Sequence, residues 1–172
     1  MRYMIAIAGA ALLAATPASS AVFVFTATMN GTTEVPPNAS PATGFSEVTY
    51  DSITNELTVD LTWAGLIGGN PAASHIHCCS APGTNVNVAV AFPVFPATTS
   101  GSYSHVFNLL DSTTYTSSFL TNFGGGTAAG ARTALVNGIL PERLTQTSTI
   151  ACSLEAKSAV SWRRCRSQRA GR

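Results

Sequence analysis

Two histidines and two adjacent cysteines are crowded into the stretch Ala72-Ala73-Ser74-His75-Ile76-His77-Cys78-Cys79. They are two of three histidines and two of four cysteines in a chain of 172 residues. On a strand, successive side chains alternate. His75 and His77 then project from one face, and Ser74, Ile76 and Cys78 from the other. Two imidazoles side by side are a bidentate arrangement for copper or zinc. His105 is a candidate third ligand, and a thiolate from Cys78 or Cys79 would favour a soft ion. A competing reading is that strand histidines cap backbone carbonyls or pack at a sheet edge. With fewer than three ligands identifiable, the expectation is no cofactor, with a copper or zinc site at His75 and His77 as the alternative. Cys78 and Cys79 are a candidate disulfide, although pairing neighbours closes a very tight ring.

Other chemistries find no constellation. Serine and threonine are abundant, but no nucleophile motif surrounds them. Gly124-Gly125-Gly126 has no lysine after it and does not read as a phosphate loop. Glu34, beside Val35-Pro36-Pro37, reads as part of a turn. No catalytic residue is assigned, and the chain is not read as an enzyme.

The elements that would position the histidines follow from the pattern. Charged residues are only 10% of the chain, well below the usual quarter. Small and polar residues replace them, as suits short strands joined by turns. Val22 to Met29 is β-branched and aromatic and predicts a first strand. Phe45 to Tyr50 and Leu57 to Trp63 predict a hairpin around residues 51–55. In its second strand Leu57, Val59, Leu61 and Trp63 share one face, the mark of a sheet buried on one side. Val86, Val88, Val90 and Phe92 repeat the alternation until Pro93 and Pro96. Tyr103, His105, Phe107 and Leu109 are in phase on another strand. Residues 111–123 carry no clear pattern. Thr127 predicts the cap of a short helix, Ala128 to Asn137, stopped by Gly138. The prediction is an all-β, antiparallel, Greek-key-like sandwich with one short helix.

The N-terminus reads as an export signal over residues 1–21. Arg2 precedes an apolar run, Met4 to Ala15, and Ser19-Ser20-Ala21 is a small-residue cleavage site. Val22 would be the first mature residue, and no membrane span is expected after removal of the signal. The expected location is secreted, periplasmic or on the cell surface, where disulfides persist. Asn30-Gly31-Thr32 and Asn38-Ala39-Ser40 match the glycosylation sequon, a pattern common by chance.

Charge divides the rest. Between Val22 and Gly138 six acids face one base, Arg132, a net of −5. From Ile139 onward seven bases face Glu142 and Glu155, a net of +5. A domain with a single base is no nucleic-acid binder. Residues 139–172 read as a basic, disordered tail that also carries Cys152 and Cys165.

Several landmarks together resemble the CHRD (chordin-type) domain of secreted bacterial proteins. They are Met29-Asn30-Gly31-Thr32-Thr33-Glu34-Val35-Pro36-Pro37, Pro41-Ala42-Thr43-Gly44, Asn55-Glu56-Leu57-Thr58-Val59-Asp60-Leu61 and Ala73-Ser74-His75-Ile76-His77. The resemblance runs from about Phe25 to Gly138, within a domain bounded at residues 22–138. It implies an extracellular all-β module, superoxide-dismutase-like or immunoglobulin-like, whose partner would be an extracellular protein or matrix ligand. The His-x-His strand is also similar to that of Cu/Zn superoxide dismutases.

The family's closing pattern, A-Y-x-N-I-H then F-P-G-G-E-I-R-G, has no counterpart after Gly138. It returns when the third base of each codon is joined to the first two of the next. Leu144 to Thr149 can then encode Y-x-N-I-H, and Cys152 to Val160 can encode F-P-G-G-E-I-R-G. This pattern implies a reading-frame slip near Ile139 or Leu140 and, as a further alternative, a non-functional copy.

Overall fold

The computed structural model describes residues 21–33, 37–67, 69–80, 87–139, 149–156, 160–162 and 166–169. The signal segment therefore lies outside the described residues, as do Glu34 to Pro36. The chain is mostly antiparallel β structure, as its alternation predicts.

β1 (Val22–Asn30), β2 (Thr43–Asp51), β3 (Glu56–Ala64) and β6 (Gly101–Asn108) form one side. Each is rich in residues that suit a pleated, half-buried surface. β1 pairs with β2 and β2 with β3 over nine consecutive residues each, and β3 pairs with β6 over eight, without a register shift. Alternation therefore survives along every strand. Leu57, Val59, Leu61 and Trp63 are buried, while Glu56, Asp60, Thr62 and Ala64 are exposed. Burying each large apolar side chain contributes roughly 1.5–3 kcal/mol. At the β2–β3 turn Asn55 takes φ 58°, a left-handed conformation that asparagine tolerates. Asp51 Oδ1 accepts from the amides of Ile53 at 2.7 Å and Thr54 at 3.2 Å, closing the turn.

β4 (Pro71–Ser80) and β5 (Val88–Ala91) form the facing side. The chain crosses from β3 to β4 and back from β5 to β6, in the manner of a Greek key. Inward side chains of both sides join one core, which includes Phe25, Leu57, Ile76, Val90 and Phe107. Two helices close one flank. α1 (Ser117–Asn122) starts at Thr116, whose hydroxyl accepts from the Phe119 amide. α2 (Ala128–Ile139) starts at Thr127, whose hydroxyl accepts from the Gly130 amide at 3.1 Å. Ala131 and Leu135 of α2 are fully buried, and Arg132 Nη1 donates to Asn55 Oδ1, tying the helix to the β2–β3 turn.

Three expectations shift. α2 does not stop at Gly138. It runs through that residue to Ile139, because the glycine serves a close approach rather than a turn. The β5 alternation breaks at a bulge, so that Ala89 and Val90 are both buried. The unpatterned stretch 111–123 contains α1 and a short 3-10 turn, Ser112–Thr114, capped by Asp111.

The tail, for which the sequence predicts disorder, carries three described strands. β7 (Thr149–Ala156) pairs with β4, β8 (Val160–Trp162) links β7 to β1, and β9 (Arg166–Arg169) pairs with β1. A free strand edge offers backbone donors and acceptors to any extended chain, whatever its side chains. The hydrogen-bonded order becomes β5-β4-β7-β8-β1-β2-β3-β6.

Candidate functional site

β4 places its side chains as alternation requires. Ser74, Ile76 and Cys78 face the core at 1%, 1% and 0% exposure. His75 and His77 take the other face, half-buried, with ring centroids 5.8 Å apart and the rings nearly perpendicular. Against β5, His75 pairs with Ala91 and Ile76 with Val90, and then the register shifts before His77 meets Val88. The unpaired residue is Ala89 of β5, so this bulge bends β5 and leaves the alternation of β4 intact.

His105 does not join the pair. It sits on β6 between Tyr103 and Phe107, in line with their buried rings and 4.5 Å from the Phe107 centroid. Among the described residues no three histidine, cysteine or acidic side chains gather as a metal group. What β4 offers a metal is the His75–His77 pair alone.

Cys78 and Cys79 are joined as a disulfide between neighbours. The ring lies under the last turn of α2. Cys79 Sγ is 3.5 Å from the Ala134 carbonyl oxygen. A methyl group at Gly138 would lie 2.5 Å from Cys78 Sγ and 3.1 Å from Cys79 Sγ. Only a residue without a side chain lets the helix sit this close.

A second region stands at the end of the sandwich where the β3–β4 and β5–β6 loops meet. Trp63 Nε1 donates to Thr98 O at 2.9 Å, and the Leu66 amide donates to Thr99 O at 3.1 Å. The Tyr103 hydroxyl donates to Pro93 O at 3.2 Å. Phe95 packs on Trp63 at 4.8 Å and on Tyr103 at 5.1 Å between centroids. Burial of Tyr103 raises its phenol to about 12. Between the anchored Pro93 and Phe95, Val94 is 98% exposed at φ 51°. A β-branched residue in that region is a backbone outlier, and outliers of this kind cluster where chains bind or switch. Ile67, on the neighbouring loop, is 54% exposed.

From the sequence, the loops near Gly68 to Pro82 are expected to form a binding site at one end of the sandwich. The structure corrects this: Pro71–Ser80 is strand β4, which separates the two ends of that window, and Gly68 and residues 81–86 lie outside the described residues. Val94 escapes sequence reasoning. The run Pro93-Val94-Phe95-Pro96 signals a strand stop, but not which residue turns left-handed.

The family model of the CHRD domain matches residues 25–145, most of the chain. No curated protein and no solved structure gives a match.

Proposed function

Since the chain belongs to the CHRD-domain family, we propose that it is an exported module that binds an extracellular protein or matrix ligand through the loop end at Ile67 and Val94. The observation that carries this reading is Val94, a strained valine held in solvent by anchored neighbours. Left-handed backbone costs a residue with a Cβ roughly 1–2 kcal/mol. A loop that only closed a strand connection would stand at no disadvantage with asparagine or glycine there. Export fits the signal-like N-terminus, since β1 starts at Val22, directly after the cleavage site.

The test compares retention of the exported full chain on the cell envelope. Val94→Asn and Ile67→Asn should release the chain into the medium, and Val106→Asn, on exposed β6, should not. Val94→Asn should also raise the melting temperature, because asparagine tolerates the left-handed region. Unchanged retention in both loop variants defeats the reading.

A second reading rests on the facing imidazoles. The 5.8 Å spacing of His75 and His77 suits a shared copper or zinc ion. Titration of the purified chain with each metal, repeated on His75→Ala, decides it. No binding above background, or no loss in the variant, removes it. A third, the frame-slipped copy, is supported by the reversal of charge beyond Gly138. The gene decides that one. If no single-base change near the codons for Ile139 and Leu140 restores the family ending, the slip is refuted. A cooperative unfolding transition would argue against a non-functional product.

A further inference from the structure

The disulfide, the glycine and the helix terminus form one assembly whose parts have no role in the loop-end reading. Cys78 is fully buried, and Cys79 is only partly buried. α2 is anchored ahead of this contact at Ala131, which is fully buried, and at Arg132, and the sulfurs bear on the segment that follows, at Ala134 and Gly138. We propose that the Cys78–Cys79 ring is a thiol–disulfide exchange site whose redox state sets the seating of the last turn of α2.

The co-reactant is a dithiol reductant. Its thiolate attacks Cys79 Sγ, the more accessible sulfur. The Cys78–Cys79 bond breaks, and Cys78 leaves with the electron pair and takes a proton. The second thiol of the reductant then attacks the mixed disulfide, closes its own disulfide and releases Cys79. Two electrons pass from the dithiol to the protein, and two thiols remain on β4.

Those thiols need more room than the ring. Two unbonded sulfurs cannot sit as close as two bonded ones, and each gains a hydrogen. On the α2 side there is no slack, since even a methyl group at Gly138 would overlap Cys78 Sγ. Protein interiors are too tightly packed to absorb such a change without movement. The last turn of α2, residues 134–139, must lift, while the Arg132–Asn55 tie holds the first turns. The Cys79 thiol, now a donor, faces the Ala134 carbonyl oxygen 3.5 Å away in the oxidised form.

The experiment is amide hydrogen exchange on the full chain, before and after reduction with dithiothreitol and with thiol content counted. Exchange over residues 134–139 should accelerate by about tenfold or more on reduction, with β3 unchanged. Gly138→Ala should produce the same acceleration in the oxidised protein, because its methyl group displaces the turn with the ring closed. The Cys78→Ser, Cys79→Ser double variant should not respond to reductant. The proposal is overturned by thiols that appear without a change at 134–139. It is equally overturned by acceleration as large in β3 as in α2, which would mean general destabilisation. A ring that dithiothreitol reduces only in unfolded protein overturns it as well.

Discussion

The two sides of the sandwich follow the same alternation rule with very different regularity. On the β1–β2–β3–β6 side every pair of neighbours stays in register from end to end. On the β4–β5 side the register shifts after Ile76 against β5, and between Pro71 and Ala73 and again between His77 and Ser80 against β7. His75, His77, Cys78 and Cys79 all sit on the irregular side. An unbroken ladder gives each strand two fixed faces and a core with little freedom. Breaks in the ladder cost pairing but re-aim side chains, which a site requires. The regular side is the scaffold, and the metal and thiol–disulfide proposals both fall on the irregular side.

The largest test of this contrast is a matched pair of core truncations. Leu57, on the regular side, and Ile76, on the irregular side, are buried to 0% and 1% exposure. Truncating a buried Leu or Ile to alanine costs about 2–5 kcal/mol, depending on how far the site collapses. Leu57→Ala should fall at the upper end, because β2 and β6 hold β3 in unbroken register on both sides. Ile76→Ala should cost about 1 kcal/mol less, as β5, bulged at Ala89 beside it, closes over part of the cavity. Urea unfolding of both variants measures the difference. Equal losses would mean that the bulge gives the β4–β5 pair no compliance.

The same division decides what could be read from the sequence. Leu57, Val59, Leu61 and Trp63 announced their strand because period-two alternation is local and nothing interrupts it. The same rule puts His75 and His77 on one face. The rest depends on contacts distant in sequence. Gly138 follows a helical run and reads as a stop, yet the helix continues, because the glycine answers to two sulfurs about 60 residues earlier. Val88, Val90 and Phe92 alternate in the sequence, but a bulge set by β4 turns Ala89 inward too. The tail's charge and missing pattern predict disorder. Its strands take their places through backbone edges, which no side-chain pattern records. Val94 is held left-handed by anchors at Pro93 and Phe95 that only the folded loop brings together.

A smaller effect should appear in alkaline solution. Tyr103 belongs to β6 but braces the loop end, and burial raises its phenol to about 12 from the ordinary 10. Its folded value lies above the unfolded one, so the stability tied to the neutral phenol is complete below pH 10. It is lost as pH rises through about 12, where the folded protein also ionises. Stability measured between these limits should fall more steeply in the wild type than in Tyr103→Phe. Parallel curves would show that the loop end does not depend on the neutral hydroxyl.

The smallest expected effect probes the outward face of the regular side. Perfect register there sets Glu47 directly opposite Asp60, and Asp51 directly opposite Glu56. Like charges placed so are unfavourable, and opposite charges contribute roughly 0.2–1 kcal/mol. The two pairs should nevertheless respond in opposite ways. Glu47 is exposed, so Glu47→Lys should raise stability by a few tenths of a kcal/mol, up to about 1. The gain should shrink in about 1 M salt, which screens exposed charges. Asp51 also accepts the amides that close the β2–β3 turn. Asp51→Lys should therefore lower stability despite relieving the same kind of repulsion, because losing a charged acceptor outweighs the relief. The two variants together separate the register of the ladder from the chemistry of its turn. If Asp51→Lys stabilises as much as Glu47→Lys, the carboxylate is dispensable to the turn, and pairing alone holds the hairpin.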